Sequence, residues 1–177
     1  MKQLWLALKW FLIVWGAMWL VIVPVAVSSF LRGGAKESKA TASKQDVRFV
    51  LNWCRLGDAR IEEVLHSYVS RLPFSGDYSE IHAIRITHVS VSELKPDEDG
   101  AGWFRCDQAQ GILAEAIDSV LGGDEERSWF PSHDQLKSAD FYVFPWSIQC
   151  HGIRPTGIQL IFVRPADRMV FYVGGQS

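Results

Sequence analysis

The stretch GIQLIFVRPADRMVFYV, residues 157–173, decides the fold class of this chain. Residues 157–164 and 169–173 are rich in β-branched and aromatic side chains, and both runs have the length of a β-strand. The sequence PAD between them, at 165–167, is typical of a turn. These residues therefore predict an antiparallel hairpin.

Helical and extended patterns alternate in the residues that precede this hairpin. Apolar side chains recur every three or four residues over 47–54 and over 61–72. The two helices predicted from this spacing are separated by Gly57 and Asp58, which indicates a tight helical corner. Extended patterns predict further strands, in the ranges 80–94, 103–106 and 141–148.

A further helix is predicted over residues 112–121, between the strands. Asp107 and Gln110 resemble the capping box at its start, and Gly122 is expected to end it. Helices come first, one helix follows alone and strands cluster at the end of the chain. This order predicts an α+β domain, an antiparallel sheet with about three helices packed on one of its faces.

Residues 10–31 contain no charged side chain, and 22 residues of helix extend about 33 Å, enough to cross a bilayer. The alternative is a cleaved signal peptide, but the run is longer than the usual apolar region of such a peptide. We therefore predict one N-terminal transmembrane helix, a signal anchor within residues 1–31. The residues assigned to this anchor are Trp10, Trp15, Trp19, Pro24 and Leu31.

The anchor is followed by a flexible basic tether, residues 32–44, and by an acidic globular domain, residues 45–177. The domain holds twelve Lys or Arg and nineteen Asp or Glu, so it is about seven charges negative. This balance disfavours nucleic acid. It either serves solubility alone or attracts a cationic partner over a distance. Large domains translocate largely regardless of flanking charge. We therefore expect a single-pass protein of the inner membrane with a periplasmic domain.

Catalytic motifs are scarce in this sequence. Ser132, His133 and Asp134 are the residue types of a hydrolase triad, but consecutive side chains diverge. Ser132 with Gln135 instead indicates the start of a helix. The cysteines lack the paired spacing of a metal site, and His82 and His88 would lie about 20 Å apart along a strand. We therefore expect neither a catalytic site nor a metal or cofactor.

The sequence contains clearer features of a protein-binding surface than of a catalytic site. Trp129 and Phe130 follow Asp124, Glu125 and Glu126 in an otherwise polar connection, and exposed aromatic side chains beside charge are typical of binding hot spots. We assign these five residues to a protein-binding surface. The alternative is that the two aromatic side chains fold back onto the sheet.

An anchor, a basic tether and an acidic domain without catalytic motifs together resemble several classes of bacterial envelope accessory proteins, including immunity proteins that neutralise toxins. The resemblance is architectural and carries over no site residue. It implies a membrane-anchored, non-enzymatic binding protein, most concretely an immunity or inhibitor protein. The alternatives are a structural subunit of a membrane complex and, third, an envelope enzyme that uses His133, Cys150 or His151.

Overall fold

The computed structural model describes residues 10, 11, 15, 18–20, 22, 23, 35–38, 42–71, 78–98, 101–120 and 127–176. The chain divides into two compact units, Met1–Ala35 and Lys36–Ser177. Asp124, Glu125 and Glu126 lie outside the described residues, as do Pro24 and Leu31.

In the first unit, the described residues between 10 and 23 are helical and their side chains are exposed. The rings of Phe11 and Trp15 stack with centroids 5.7 Å apart. Among the residues that the structure describes, no helix is both long enough and apolar enough to cross a membrane.

The second unit is built on an antiparallel sheet. Its described strands are β1 Ala35–Ser38, β2 Ile61–Arg71, β3 Tyr78–Ile86, β4 Phe104–Arg105, β5 Tyr142–His151, β6 Arg154–Arg164 and β7 Met169–Gln176. Their order across the sheet is β1-β2-β3-β7-β6-β5-β4, and every pairing from β2 through to β4 is antiparallel. The predicted α+β class and the C-terminal hairpin, β6–β7, are confirmed. The hairpin lies at the centre of the sheet rather than at an edge.

Three helices are described in this unit: α1 Lys44–Trp53, α2 Gly111–Ser119 and α3 His133–Leu136. The side chains of α1 pack on one face of the sheet, which we call the first face. Those of α2 and α3 pack on the opposite, second face. The prediction that the helices share one face is wrong, because the central strands alternate between two apolar sets. Ile84 and Ile161 face α1, whereas Ala83 and Phe162 face α2 and α3.

The helix predicted over 61–72 is also wrong, since Ile61–Arg71 form β2. The register of β2 against β3 shifts between Ile61 and Glu63 and again between Val64 and His66, so each shift adds an unpaired residue. Ile61 and Val64 consequently both reach the first face, whereas Tyr68 reaches the second. Two bulges thus produce an apolar spacing that imitates a helix.

Local capping explains where α3 begins but not where α2 begins. The prediction for Ser132 is confirmed, because Ser132 and Gln135 form a reciprocal capping box at α3. The predicted cap at Asp107 is wrong. Asp107 lies in a preceding 3-10 turn, where its carboxylate accepts a 2.6 Å hydrogen bond from Arg105, and α2 begins at Gly111.

Candidate functional site

Trp129 and Phe130, the aromatic pair expected at a binding surface, have different environments in the structure. Phe130 is only 9% exposed, and its ring meets that of Phe171 edge-on at 5.6 Å. Trp129 is partly exposed, and it stacks on His66 of β2 with centroids 4.9 Å apart and planes 14° apart. The alternative, that the aromatic side chains fold back onto the sheet, therefore applies to Phe130. This ring anchors the connection to the sheet, and Trp129 stays partly exposed at the surface.

Acidic side chains are exposed on the two helices that precede and follow this connection in the chain. Glu115 and Asp118 are exposed on α2, and Asp134 is fully exposed on α3. The Asp118 carboxylate binds both Lys137 and His133, the latter at 2.8 Å. The hydrogen bond from Lys137 lowers the pKa of Asp118 and outweighs the opposing effect of its partial burial, and His133 lowers the pKa further. Asp118 therefore stays ionised and ties α2 to α3.

Of the candidate catalytic residues, His133 has a structural contact, whereas Cys150 and His151 are exposed. His133 bridges to Asp118 from the first turn of α3, so its ring links two helices. Cys150 and His151 are exposed neighbours near the end of β5, where consecutive side chains point to opposite faces. Among the described residues, no group of three His, Cys, Asp or Glu side chains is placed to hold a metal ion.

The three cysteines are all free, and they differ sharply in environment. Cys54 lies under α1 and Cys106 lies on the second face, both buried. Burial raises the pKa of each of these thiols from 9.0 to about 12. Because the thiolate is the reactive form, both are chemically inert at neutral pH. Cys150 is exposed.

A second cluster lies on the first face, at the C-terminal half of α1. Four aromatic rings meet there, contributed by Phe49 and Trp53 of α1, Trp146 of β5 and Tyr172 of β7. The indoles of Trp53 and Trp146 are parallel, with centroids 5.0 Å apart and planes 2° apart. Trp146 is 45% exposed, whereas Tyr172 is fully buried. The cluster therefore joins the core to the surface.

Polar side chains lie next to these rings on β3. His82 is 2% exposed, and its Nε2 donates a 2.8 Å hydrogen bond to Oε1 of Glu80. The imidazole stacks on Tyr172, whose ring covers Gly174. Burial raises the pKa of the Tyr172 phenol, and the nearby Glu80 and Tyr78 raise it further, so the hydroxyl keeps its proton.

The sequence analysis missed the aromatic cluster around Trp146. A signal was present, because Tyr78, Glu80 and His82 have a spacing of two and therefore share a face of one strand. The aromatic partners come from α1, β5 and β7, and only tertiary packing brings them together. Chemically, the arrangement offers an aromatic platform beside hydrogen-bonding groups, a combination suited to ligand binding.

Comparison with known proteins adds no family to these observations. No protein-family model matches the chain, and neither a curated protein nor a solved structure is significantly similar to it.

Proposed function

We propose that this chain is a membrane-anchored, non-enzymatic binding protein, most concretely an immunity or inhibitor protein that neutralises a cationic toxin or other protein partner at the bacterial envelope. The observation that carries the proposal is the position of Trp129. Its indole is stacked on His66 and partly exposed, on the face where α2 and α3 carry acidic side chains.

Rigidity and charge both favour recognition at this surface. A stacked indole loses little conformational freedom when a partner packs on it, which is one reason tryptophan is enriched among binding hot spots. Exposed carboxylates, such as those of Glu115 and Asp134, attract a cationic partner over a distance and raise its association rate. Asp124, Glu125 and Glu126 add three acidic residues to the connection between α2 and Trp129.

The partner is tested by crosslinking pull-down of the full-length protein from its native membranes, followed by mass spectrometry. We expect one dominant partner that is lost on Trp129→Ala and retained on Trp146→Ala, since Trp146 lies on the opposite face. A partner that survives Trp129→Ala would contradict the assigned surface. A set of membrane subunits recovered equally with both variants would instead favour the structural-subunit alternative.

The electrostatic part of the proposal has its own test. Asp134→Lys should lower the association rate constant of the captured partner about threefold to tenfold at low salt, and the difference should shrink as salt screens the charges. Glu98→Lys changes the net charge equally from an exposed position in another loop, and it serves as the control. Equal effects of the two variants would show that net charge alone matters.

We further propose that residues 10–31 anchor the chain in the inner membrane, with the domain in the periplasm. The uncharged length of this segment supports the proposal. A membrane-impermeant maleimide should label intact spheroplasts at Cys150, which is exposed, whereas Cys54 and Cys106 are buried. Cys150→Ser is the control. Labelling that requires permeabilised membranes would place the domain in the cytoplasm.

A further inference from the structure

Trp146 presents a flat aromatic surface at the open end of the first face. It lies in the bulge between Pro145 and Ser147 of β5, so it is adjacent to the step from Leu160 to Gln159 on β6. One side of the indole lies on Trp53, and the side chain is 45% exposed, so the opposite side faces outward. Because the stack fixes the ring, a ligand that packs on it does not have to order the side chain.

The sheet surface on the same face as this indole carries polar side chains and glycines. Glu80 and Gln159 flank Gly174 from the two neighbouring strands and therefore share its face. The Gln159 amide donates a 3.3 Å hydrogen bond to the hydroxyl of Tyr78. In the next row, the side chain of Gln149 lies over Gly157. These groups share the first face with the indole: Gln149 lies on β5 itself, Gln159 on the neighbouring β6, and Glu80 and Tyr78 on β3, two strands further across the sheet.

The orientation of the Glu80 side chain is fixed by a hydrogen bond from His82, two residues along β3. Its Oε1 accepts the hydrogen bond from the buried His82, which leaves the rest of the carboxylate available to a ligand. Nδ1 of the same imidazole is buried and has no hydrogen-bond partner among the described residues, and such groups are rare in folded proteins. The buried imidazole thus holds the Glu80 carboxylate in place at the edge of the core, as the supporting groups of a binding site do.

The chemistry of this surface selects one class of ligand. The centre of a protein interface is apolar, whereas the rows of the sheet that extend away from the aromatic cluster carry polar side chains and glycines, among them Glu80, Gly174 and Gln159. The Glu80 carboxylate repels anions. A neutral pyranose ring suits both the indole and the polar groups. Its C–H face packs on an indole. Its hydroxyls donate hydrogen bonds to a carboxylate and exchange hydrogen bonds with amides and phenols.

We propose that the surface formed by Tyr78, Glu80, Trp146 and Gln159 binds a neutral oligosaccharide, with one pyranose ring stacked on the outer side of Trp146. This site is independent of the protein-binding surface around Trp129, which lies on the other face of the sheet.

Calorimetric titration of the full-length protein, held in a sugar-free detergent, tests this site. The probes are the tetrasaccharides chitotetraose, cellotetraose and maltotetraose. At least one should bind with a Kd on the order of 1 mM or tighter. Trp146→Ala should weaken that binding about tenfold or more, and Trp146→Phe should weaken it less because a ring remains. Trp129→Ala should leave it unchanged.

Several outcomes would overturn the proposal. One is that none of the three probes binds at about 10 mM. Another is that the Trp146→Ala variant binds a probe as tightly as the wild type does. Tetragalacturonate binding as tightly as the neutral probes would also contradict the inferred selectivity. If circular dichroism shows that Trp146→Ala does not fold, Gln159→Ala decides, with a loss of about threefold or more expected for one removed hydrogen-bonding group. Loss of the protein partner by Trp129→Ala is measured separately, so either proposal can fail alone.

Discussion

At the scale of single residues, burial controls the acid–base chemistry of the cysteines. Cys54 and Cys106 have thiol pKa values of about 12 because the ionised form would lose its hydration. In the unfolded chain both thiols return to an ordinary value of 9.0. The unfolded state therefore binds fewer protons than the native state between these two values, so stability falls as the pH rises through this range.

We predict that raising the pH from 8 to 10 lowers the free energy of unfolding by about 1.4 kcal/mol for each buried thiol. Urea unfolding at both pH values measures the loss. Cys106→Ala should reduce the loss by about that amount, and Cys150→Ala, which removes the exposed thiol, serves as the control. Equal alkaline sensitivity of both variants and the wild type would contradict the assignment to buried thiols.

Gly174 is required for a steric reason, because the Tyr172 ring leaves no space for a side chain at this position. A Cβ at this position would lie against the hydroxyl of Tyr172 and 2.9 Å from its Cζ, and Tyr172 is too deeply buried to move freely. Gly174→Ala should therefore cost about 1–3 kcal/mol of stability. Gly175→Ala is the matched control, because its Cβ would meet only an ordinary contact at 3.4 Å. Similar unfolding midpoints for the two variants would refute the steric explanation.

At the scale of secondary-structure elements, α1 is joined to β5 by the Trp53–Trp146 stack as well as by its buried stripe. The stripe of Val47, Val50 and Leu51 is fully buried, whereas the stack is partly exposed. Aromatic pairs contribute about 0.5–1.5 kcal/mol beyond the area that they bury. The C-terminal end of the helix is thus held by the Trp53–Trp146 stack together with the edge-on contact between Trp53 and Tyr172.

A double-mutant cycle measures this contact between elements. We expect the coupling energy between Trp53→Ala and Trp146→Ala to be about 0.5–1.5 kcal/mol in thermal or urea unfolding. Trp53→Ala and Trp129→Ala affect opposite faces of the sheet, and their effects should add to within about 0.5 kcal/mol. Strictly additive effects of the first pair would mean that the stack contributes nothing to helix docking.

At the scale of the whole molecule, helices on both faces make the sheet the centre of the domain. β7 lies between β3 and β6 and is paired along its length on both sides. β4 pairs only with Tyr142 and Val143, so no strand described here pairs with the outer edge of β5 from Phe144 to His151. Pro145 and two register shifts interrupt this edge, which discourages another strand from adding to it.

Amide hydrogen exchange should follow this order of burial. We predict the slowest exchange in β7 and in the facing residues of β3 and β6, because these amides open only when the whole sheet unfolds. The outward-facing amides of β5 beyond Phe144 should exchange much faster. Equal protection of these amides and those of β7 would show that an additional segment or a partner covers the edge of β5.

The amino-acid sequence was enough to predict the α+β class, α1, the C-terminal hairpin, the cap of α3 and the acidic charge of the domain. Each of these depends on neighbours along the chain, such as the spacing of Val47, Val50 and Leu51 or the reciprocal bonds of Ser132 and Gln135. Local periodicity and capping chemistry can be predicted from the order of residues along the chain.

Tertiary structure alone decided the identity of β2, the use of both sheet faces and the composition of the first-face cluster. The two bulges of β2 exist only relative to β3, and they converted a strand period into a helical one. Phe130 is buried because Phe171 lies opposite, and Trp146 is held because Trp53 approaches from another element. These features come from contacts between residues that are distant along the chain, which no local pattern encodes.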